Sequence, residues 1–229
     1  MTLIIHAPYK GGIVLISDLQ NSYFDNSNKI DYKEPVKKLF YLFNKDILIG
    51  CSGDTLAYQN LYYKLKRDHS LNADNVLQKI KDFIKEIHEE SRLSQNISPT
   101  DLEICLITKD NDSIKSINLI GYTEKDTIDS DTFSFIGSIK FISPQIRGIK
   151  IIKEYFTQED AIKFGVSLLK YIADLDDSVG GIEKYGCNIV VVDKKEGFTD
   201  KSLVSTQCNG YLFFNILTEL KNSGKILTN

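Results

Sequence analysis

The sequence predicts a mixed α/β (α+β) fold, a four-layer α/β/β/α sandwich of two stacked, mainly antiparallel sheets. Two observations lead to this prediction. Short apolar runs of β-type composition follow one another in blocks. Amphipathic segments with helical periodicity lie in pairs between those blocks. Since consecutive strands tend to pair, each block favours an antiparallel sheet, and each helix pair would cover the outer face of one sheet.

The first block of strands opens the chain. Residues 3–7 and 13–17 form a predicted hairpin in which Gly11-Gly12 supply the positive φ of the turn. A polar loop is expected over residues 19–35, and two further strands complete the block. The predicted strands of the whole chain are residues 3–7, 13–17, 36–43, 47–51, 102–108, 113–120, 132–136 and 187–192, with a short strand after Gly197.

Helices are predicted where apolar residues recur at i, i+3, i+4 and i+7. Ser52 or Asp54 can cap the first of these helices, and Thr157-Gln158-Glu159-Asp160 is a capping signal for a later one. The predicted helices run through residues 58–65, 76–87, 144–156, 162–172 and 212–220.

Length and composition indicate a single globular domain over residues 1–229. The chain has 42% hydrophobic and 26% charged residues, which is ordinary for such a domain. A net charge of −3 gives no sign of the basic surface that nucleic-acid binding needs, so no nucleic-acid partner is expected. No apolar run approaches the roughly 18 residues that a membrane span needs, so no membrane partner is expected either.

The cysteines and histidines give no metal signal. The four cysteines are scattered without C-x-x-C spacing, and the three histidines neighbour neither each other nor a cysteine. With no leader ahead of the first predicted strand, reduced thiols in a cytoplasmic protein are expected. No metal and no other cofactor is expected.

Six short segments carry the functional signal through their order and spacing. They are Thr2, residues 12–18 (GIVLISD), 36–39 (VKKL), 49–54 (IGCSGD), 136–138 (IGS) and 176–181 (DDSVGG). Taken together they resemble the proteasome β-subunit family of N-terminal nucleophile (Ntn) hydrolases, over nearly the whole chain. The resemblance implies one proteasome-subunit-like Ntn-hydrolase domain and a threonine-type peptidase that acts on peptides or unfolded proteins.

The chemistry of such a peptidase begins at Thr2. A threonine hydroxyl is a weak nucleophile without a base, and the α-amino group of an N-terminal threonine can serve as that base. Removal of Met1 would expose both groups on Thr2. A nearby ammonium favours the deprotonated hydroxyl, and a carboxylate keeps that ammonium charged and in place. The resemblance implies that these are Lys38 and Asp18.

Lys37 is the alternative to Lys38. Side chains alternate along a strand, so only one of the two lysines can face Thr2. Both faces of this segment are apolar, so periodicity does not choose between them. The family pattern, which uses the second lysine of such a pair, favours Lys38.

The resemblance implies further site residues. Gly53, at a strand-to-helix turn, would donate its backbone N–H to the oxyanion of the tetrahedral intermediate. Ser138 and Asp176 would orient the threonine amine, and Cys51 would line the substrate pocket, unless it is simply a small buried residue. Two positions depart from the pattern: an acidic Asp54 follows Gly53, and Val179 stands where a second serine is expected.

Three functions remain open from the sequence. The first is a threonine endopeptidase in a homo-oligomeric ring, with an ATPase or cap as a further partner. The second is a catalytically inactive scaffold or binding subunit, which Asp54 and Val179 motivate. The third is an amidase or transpeptidase that uses the same nucleophile.

Overall fold

The computed structural model describes residues 2–24, 30–33, 35–42, 46–94, 102–110, 113–121, 123–127, 132–137, 139–140, 142–176, 179–180, 182–208 and 210–228. The strands are β1 (Leu3–Tyr9), β2 (Gly12–Asp18), β3 (Asn21–Phe24), β4 (Ile30–Lys33), β5 (Leu39–Leu42), β6 (Ile47–Ser52), β7 (Glu103–Asp110), β8 (Ser113–Ile120), β9 (Thr123–Thr127), β10 (Ser134–Gly137), β11 (Lys150–Ile151), β12 (Cys187–Asp193), β13 (Gly197–Asp200) and β14 (Ile226–Leu227). The helices are α1 (Thr55–Arg67), α2 (Val76–Ser94), α3 (Pro144–Arg147), α4 (Gln158–Ala173), α5 (Ile182–Tyr185), α6 (Ser205–Cys208) and α7 (Phe213–Asn222).

The first sheet has the strand order β10-β1-β2-β12-β13, with antiparallel neighbours throughout. The predicted hairpin is confirmed as β1 and β2, in which Tyr9 pairs with Gly12. The predicted positive φ at Gly11 and Gly12 is wrong, because neither residue lies in that region. A glycine is required at position 12 for a different reason, because β12 leaves no room for a side chain there. A Cβ on Gly12 would lie 1.9 Å from the Val192 carbonyl oxygen of β12.

The second sheet has the order β5-β6-β7-β8-β9, and its neighbours are also antiparallel. Its predicted strands are confirmed, although β5 begins only at Leu39, three residues later than expected. The fifth strand, β9, lies at the edge of this sheet and was not predicted from the sequence.

Three apolar clusters show how helices and sheets pack. One joins the first sheet to α4 and α7 through side chains such as Ile16, Phe164 and Phe213. A second joins the other sheet to α1 and α2 through Ile49 and Leu61 among others. The third contains side chains from both sheets. The side chains of the two sheets therefore share one buried cluster, and each sheet also shares a cluster with helices. The third cluster comprises Ile4, Leu15, Leu39, Leu48, Cys105, Ile107, Ile136, Val190, Val192 and Phe198.

The helix predictions are confirmed for α1, α2, α4 and α7. Asp54 caps α1 by accepting from the backbone N–H groups of Leu56 and Ala57. Thr157 and Asp160 form the capping box that their spacing predicts at the start of α4. Within the described part of the chain, none of the helices has the length and apolarity that crossing a membrane requires.

Two further predictions of local structure are wrong. The segment predicted as a loop at residues 19–35 contains the paired strands β3 and β4. The helix predicted over 144–156 ends at Arg147, because the chain then forms β11, which pairs with β14 near the C-terminus. The single-turn helices α5 and α6 were not predicted.

Candidate active site

Asp18 is the last residue of β2, and it is fully buried. Its Oδ1 accepts a hydrogen bond of 3.0 Å from the backbone N–H of Leu3, and its Oδ2 accepts one of 2.7 Å from Lys38 Nζ. Leu3 directly follows Thr2. One carboxylate therefore links the start of the chain to Lys38, which the sequence separates from it by a hairpin and a polar segment.

Lys38, and not Lys37, makes this contact. The Lys38 side chain is 3% exposed, and its ammonium also donates to the Gln20 carbonyl oxygen at 2.6 Å. The Lys38 carbonyl oxygen accepts from the Cys51 N–H at 2.9 Å, which fixes its backbone against β6. Lys37 instead points to the surface, where its Nζ lies 3.7 Å from a carboxylate oxygen of Asp200.

The charge of Lys38 is held in a buried environment. Burial lowers the pKa of Lys38 from its ordinary value, because the charged form loses its hydration. The Asp18 carboxylate opposes that shift through its charge and its hydrogen bond. Since burial is the larger effect, Lys38 is a weaker base than an exposed lysine.

Thr2 is 5% exposed and lies at the edge where β1 meets β10. Gly137 ends β10 with a φ of +89° and packs directly on Thr2. A Cβ at Gly137 would lie 1.9 Å from the Thr2 carbonyl oxygen and 2.5 Å from Ser52 Oγ. Thr2 and Ser52 therefore both lie against Gly137, and Ser52 ends β6 of the second sheet.

Gly53 follows Ser52 at the turn between β6 and α1. Its φ of +110° belongs to the region that glycine adopts readily, and the residue is exposed. Asp54 is the next residue, and its Oδ1 accepts from Leu56 N at 2.8 Å and from Ala57 N at 2.9 Å. The acidic departure from the family pattern is thus a helix cap whose carboxylate faces α1.

Glu103 is a site residue that the sequence analysis missed. It is the first residue of β7 and pairs with Ser52 across the sheet. Its Oε2 accepts a hydrogen bond of 2.8 Å from the Gly137 N–H, which fixes the glycine that packs on Thr2. A glutamate at the start of an apolar strand is common at a surface, so its spacing gave no signal for this role.

The segment after α4 approaches Lys38 through Gln20. Asp176 is 7% exposed, and its carbonyl oxygen accepts from the Val179 N–H at 2.9 Å. Gly180 packs against Gln20, since a Cβ there would lie 2.9 Å from Gln20 Oε1. The Val179 side chain is 1% exposed in the apolar cluster beneath α4, so it offers no hydroxyl to the site. Met1, Ser138 and Ser178 lie outside the described residues.

Cys51 lies on the helix side of the second sheet, in the apolar cluster with Tyr58 and Leu61 of α1. It is 1% exposed, and burial raises the pKa of its thiol. This position favours the second reading of Cys51, a small buried residue, over a residue that lines a pocket.

Solved structures of Anbu proteins share this fold. The Anbu (Gly-1) mutant from Hyphomicrobium sp. strain MC1 has a TM-score of 0.71 at 13% identity, over 97% of this chain and 96% of that chain. The helical assembly of the Anbu complex from Pseudomonas aeruginosa gives 0.69 at 12% identity, over 96% of each chain. Anbu (ancestral beta-subunit) from Yersinia bercovieri gives 0.65 at 13% identity, over 96% of this chain and 94% of that chain. No protein-family model and no curated protein matches the sequence.

The chain therefore has the fold of these Anbu structures, one of which is described as the ancestral beta-subunit. The family named from the sequence, the proteasome β-subunit-like Ntn hydrolases, is wrong. The structures that share the fold are Anbu proteins, which form a distinct family.

Proposed function

We propose that the chain is a threonine peptidase, which cleaves amide bonds through an acyl ester on Thr2 after Met1 has been removed. One observation supports this above all others: Asp18 binds both the backbone next to Thr2 and the ammonium of Lys38. Net stability alone is a weak explanation for this buried pair, because removing two charges from water costs about as much free energy as their pairing returns.

In this mechanism the free α-amino group of Thr2 accepts the proton of the Thr2 hydroxyl, and Oγ1 attacks the substrate carbonyl carbon. An ammonium has three N–H donors. Lys38 uses two of them on Asp18 and Gln20, and the proposal assigns the third to Thr2 Oγ1. The proton then passes to the leaving amine, and water hydrolyses the ester to regenerate Thr2.

The oxyanion of the tetrahedral intermediate is assigned to the backbone N–H of Gly53. The packing of both Thr2 and Ser52 against Gly137 supports this role, because Gly53 directly follows Ser52. Glu103 would act as a positioning residue, since it holds Gly137 and not the substrate. Ser138 and Asp176 keep their proposed roles in orienting the Thr2 amine.

The proposal extends to architecture and partners. We assign residues 1–229 to one domain with four layers, which the three apolar clusters support. The helical assembly of the Pseudomonas aeruginosa Anbu complex supports a homo-oligomer for this chain. Peptides or unfolded proteins would be the substrates in the cytoplasm, with an ATPase or cap controlling access.

A non-catalytic scaffold is the second candidate. The buried Val179 favours it, because no hydroxyl stands there to assist proton transfer. The fold and the buried Asp18–Lys38 pair would serve such a subunit as structural elements only.

Peptide hydrolysis by purified protein separates the two candidates. Thr2→Ala should abolish hydrolysis, and Thr2→Ser should retain part of it because a hydroxyl remains. Thr206→Ala, at an exposed threonine of α6, is the matched control and should leave the rate unchanged. Equal rates for the wild type and Thr2→Ala would refute the peptidase. A wild type that has lost Met1 but hydrolyses no peptide would favour the scaffold.

A further inference from the structure

Two of the four cysteines lie side by side. Cys187 begins β12 and Cys208 ends α6, and their Sγ atoms are 4.0 Å apart. Both residues are buried, at 0% and 1% exposure. Cys187 exchanges two backbone hydrogen bonds of 3.0 Å with Leu203, which fixes the segment that leads into α6. The two sulfurs therefore face each other across a well-defined contact.

The other two cysteines cannot form such a pair with each other. Cys51 and Cys105 lie on the neighbouring strands β6 and β7. Their side chains point to opposite faces, since Cys51 belongs to the cluster beneath α1 and α2, whereas Cys105 lies between the two sheets. A disulfide requires Cβ atoms that approach each other on one side, so these two residues serve as internal controls.

The surroundings distinguish the two facing thiols. Either thiol can be the donor in their mutual contact, and Cys208 Sγ also donates to the Val204 carbonyl oxygen at 3.6 Å. The hydrogen bond with Cys187 and the nearby Lys170 ammonium lower the pKa of Cys208, against the effect of burial. The same hydrogen bond, together with burial, raises the pKa of Cys187. Cys208 lies on the single turn α6 beside exposed residues, whereas Cys187 lies in a strand that is paired with β2. Cys208 is therefore the more accessible thiol, and its thiolate takes the role of the attacking nucleophile, with Cys187 as the resolving residue.

We propose that Cys187 and Cys208 are a redox modification site, at which a low-molecular-weight disulfide converts two thiols into an intramolecular disulfide. The Cys208 thiolate attacks one sulfur of the reagent, which forms a mixed disulfide and releases one thiolate. Cys187 then attacks Cys208 Sγ, loses its proton and releases the second thiol. The two protein thiols are oxidised, and the reagent is reduced to two thiols.

Access to Cys208 comes from α6, a single turn whose Thr206 and Gln207 are exposed. A short helix of this kind opens locally at low cost, which lets a small reagent reach the buried sulfur. The bond would close a loop between residues 21 positions apart and tie α6 to β12. Since Cys187 pairs with Asp18 across β12 and β2, it would also restrain the strand end beside Asp18. The evidence for this disulfide does not rest on the proposed peptidase activity.

The test uses the full chain, incubated with oxidised glutathione, then denatured, alkylated and mapped by mass spectrometry. We expect a linked peptide pair that contains Cys187 and Cys208, while Cys51 and Cys105 carry the alkyl label. Dithiothreitol should restore four labelled thiols. Cys51→Ala should still form the link, and Cys208→Ala should not. The melting temperature of the wild type, but not of Cys208→Ala, should rise on oxidation.

Four labelled thiols after oxidation would overturn the proposal. So would a stable glutathione adduct on Cys208 without the internal link, or a link that involves Cys51 or Cys105. The wild-type map decides the question even where a cysteine variant fails to fold.

Discussion

Asp18 and Lys38 form a buried ion pair between the two sheets, with Lys38 Nζ 2.7 Å from Asp18 Oδ2. Asp18 ends β2 of the first sheet, and Lys38 directly precedes β5 of the second. Their side chains are 0% and 3% exposed. Neither charge can reach solvent without moving the end of β2 or the start of β5, so each depends on the other.

Removing one member of this ion pair should therefore lower the free energy of unfolding substantially. Lys38→Met leaves the Asp18 carboxylate buried without its cation, which costs about 3–5 kcal/mol of unfolding free energy. Lys37→Met is the matched control, because Lys37 is 67% exposed and its loss should cost at most about 1 kcal/mol. Urea unfolding of the two variants measures the difference. Equal losses would contradict a buried pair at Lys38.

Gly137 should tolerate a side chain less well than another glycine with positive φ. Gly137→Ala places a methyl group against the Thr2 carbonyl, whereas Gly197, with a φ of +77°, has nothing within 4 Å of a Cβ. The backbone strain of alanine costs about 1–2 kcal/mol at either site. The clash should add about 1–3 kcal/mol at Gly137 and shift Thr2. Unfolding and peptide hydrolysis check both effects, and Gly197→Ala should keep its hydrolysis rate.

His6 should make stability depend on pH. Burial lowers the pKa of His6 from 6.5 to about 3 in the folded chain. Between these values the unfolded chain binds more protons, so the free energy of unfolding rises with pH over that window. We expect a loss of about 2 kcal/mol on going from about pH 7.5 to about pH 5.

The matching variants are His6→Leu and His69→Leu. His6→Leu should remove this part of the pH dependence, and His69→Leu should keep it because His69 is exposed. Denaturant titrations at the two pH values give the comparison. An unchanged pH dependence in His6→Leu would show that His6 is not the group responsible.

Asp54 should matter for stability and not for catalysis. Its carboxylate accepts from two backbone N–H groups at the start of α1. Asp54→Ala should cost about 1 kcal/mol of unfolding free energy, while Asp54→Ser should retain most of the cap. Neither change should raise the hydrolysis rate. A faster Asp54→Ser enzyme would indicate that the carboxylate disturbs the oxyanion.

The elements that could be predicted from the sequence are those whose structure is determined by their own residues. The β1–β2 hairpin and α4 follow from local patterning, because apolar runs and a capping box identify them without distant contacts. Strand β11 (residues 150–151) could not be predicted in this way, because it forms by pairing with Ile226 and Leu227, which lie far along the chain. The β3–β4 hairpin was missed because its polar composition is typical of a loop.

The candidate site, too, could be predicted only in part from the sequence. Periodicity could not choose between Lys37 and Lys38, because the choice depends on Asp18 in another sheet. The contact of Glu103 with Gly137 joins β7 to β10, and no spacing in the sequence predicts it. The roles proposed for Thr2 and Gly53 came from resemblance, and they stay predictions.

The most direct test of the peptidase is the intact mass of the purified chain after incubation with an electrophile selective for N-terminal threonine. We expect a mass that lacks Met1 and carries one adduct, and no adduct on Thr2→Ala. This result would show that Thr2 is a free and reactive N-terminus. A wild-type chain that keeps Met1 and gains no adduct would contradict the account, because the amine that must act as the base would remain acylated.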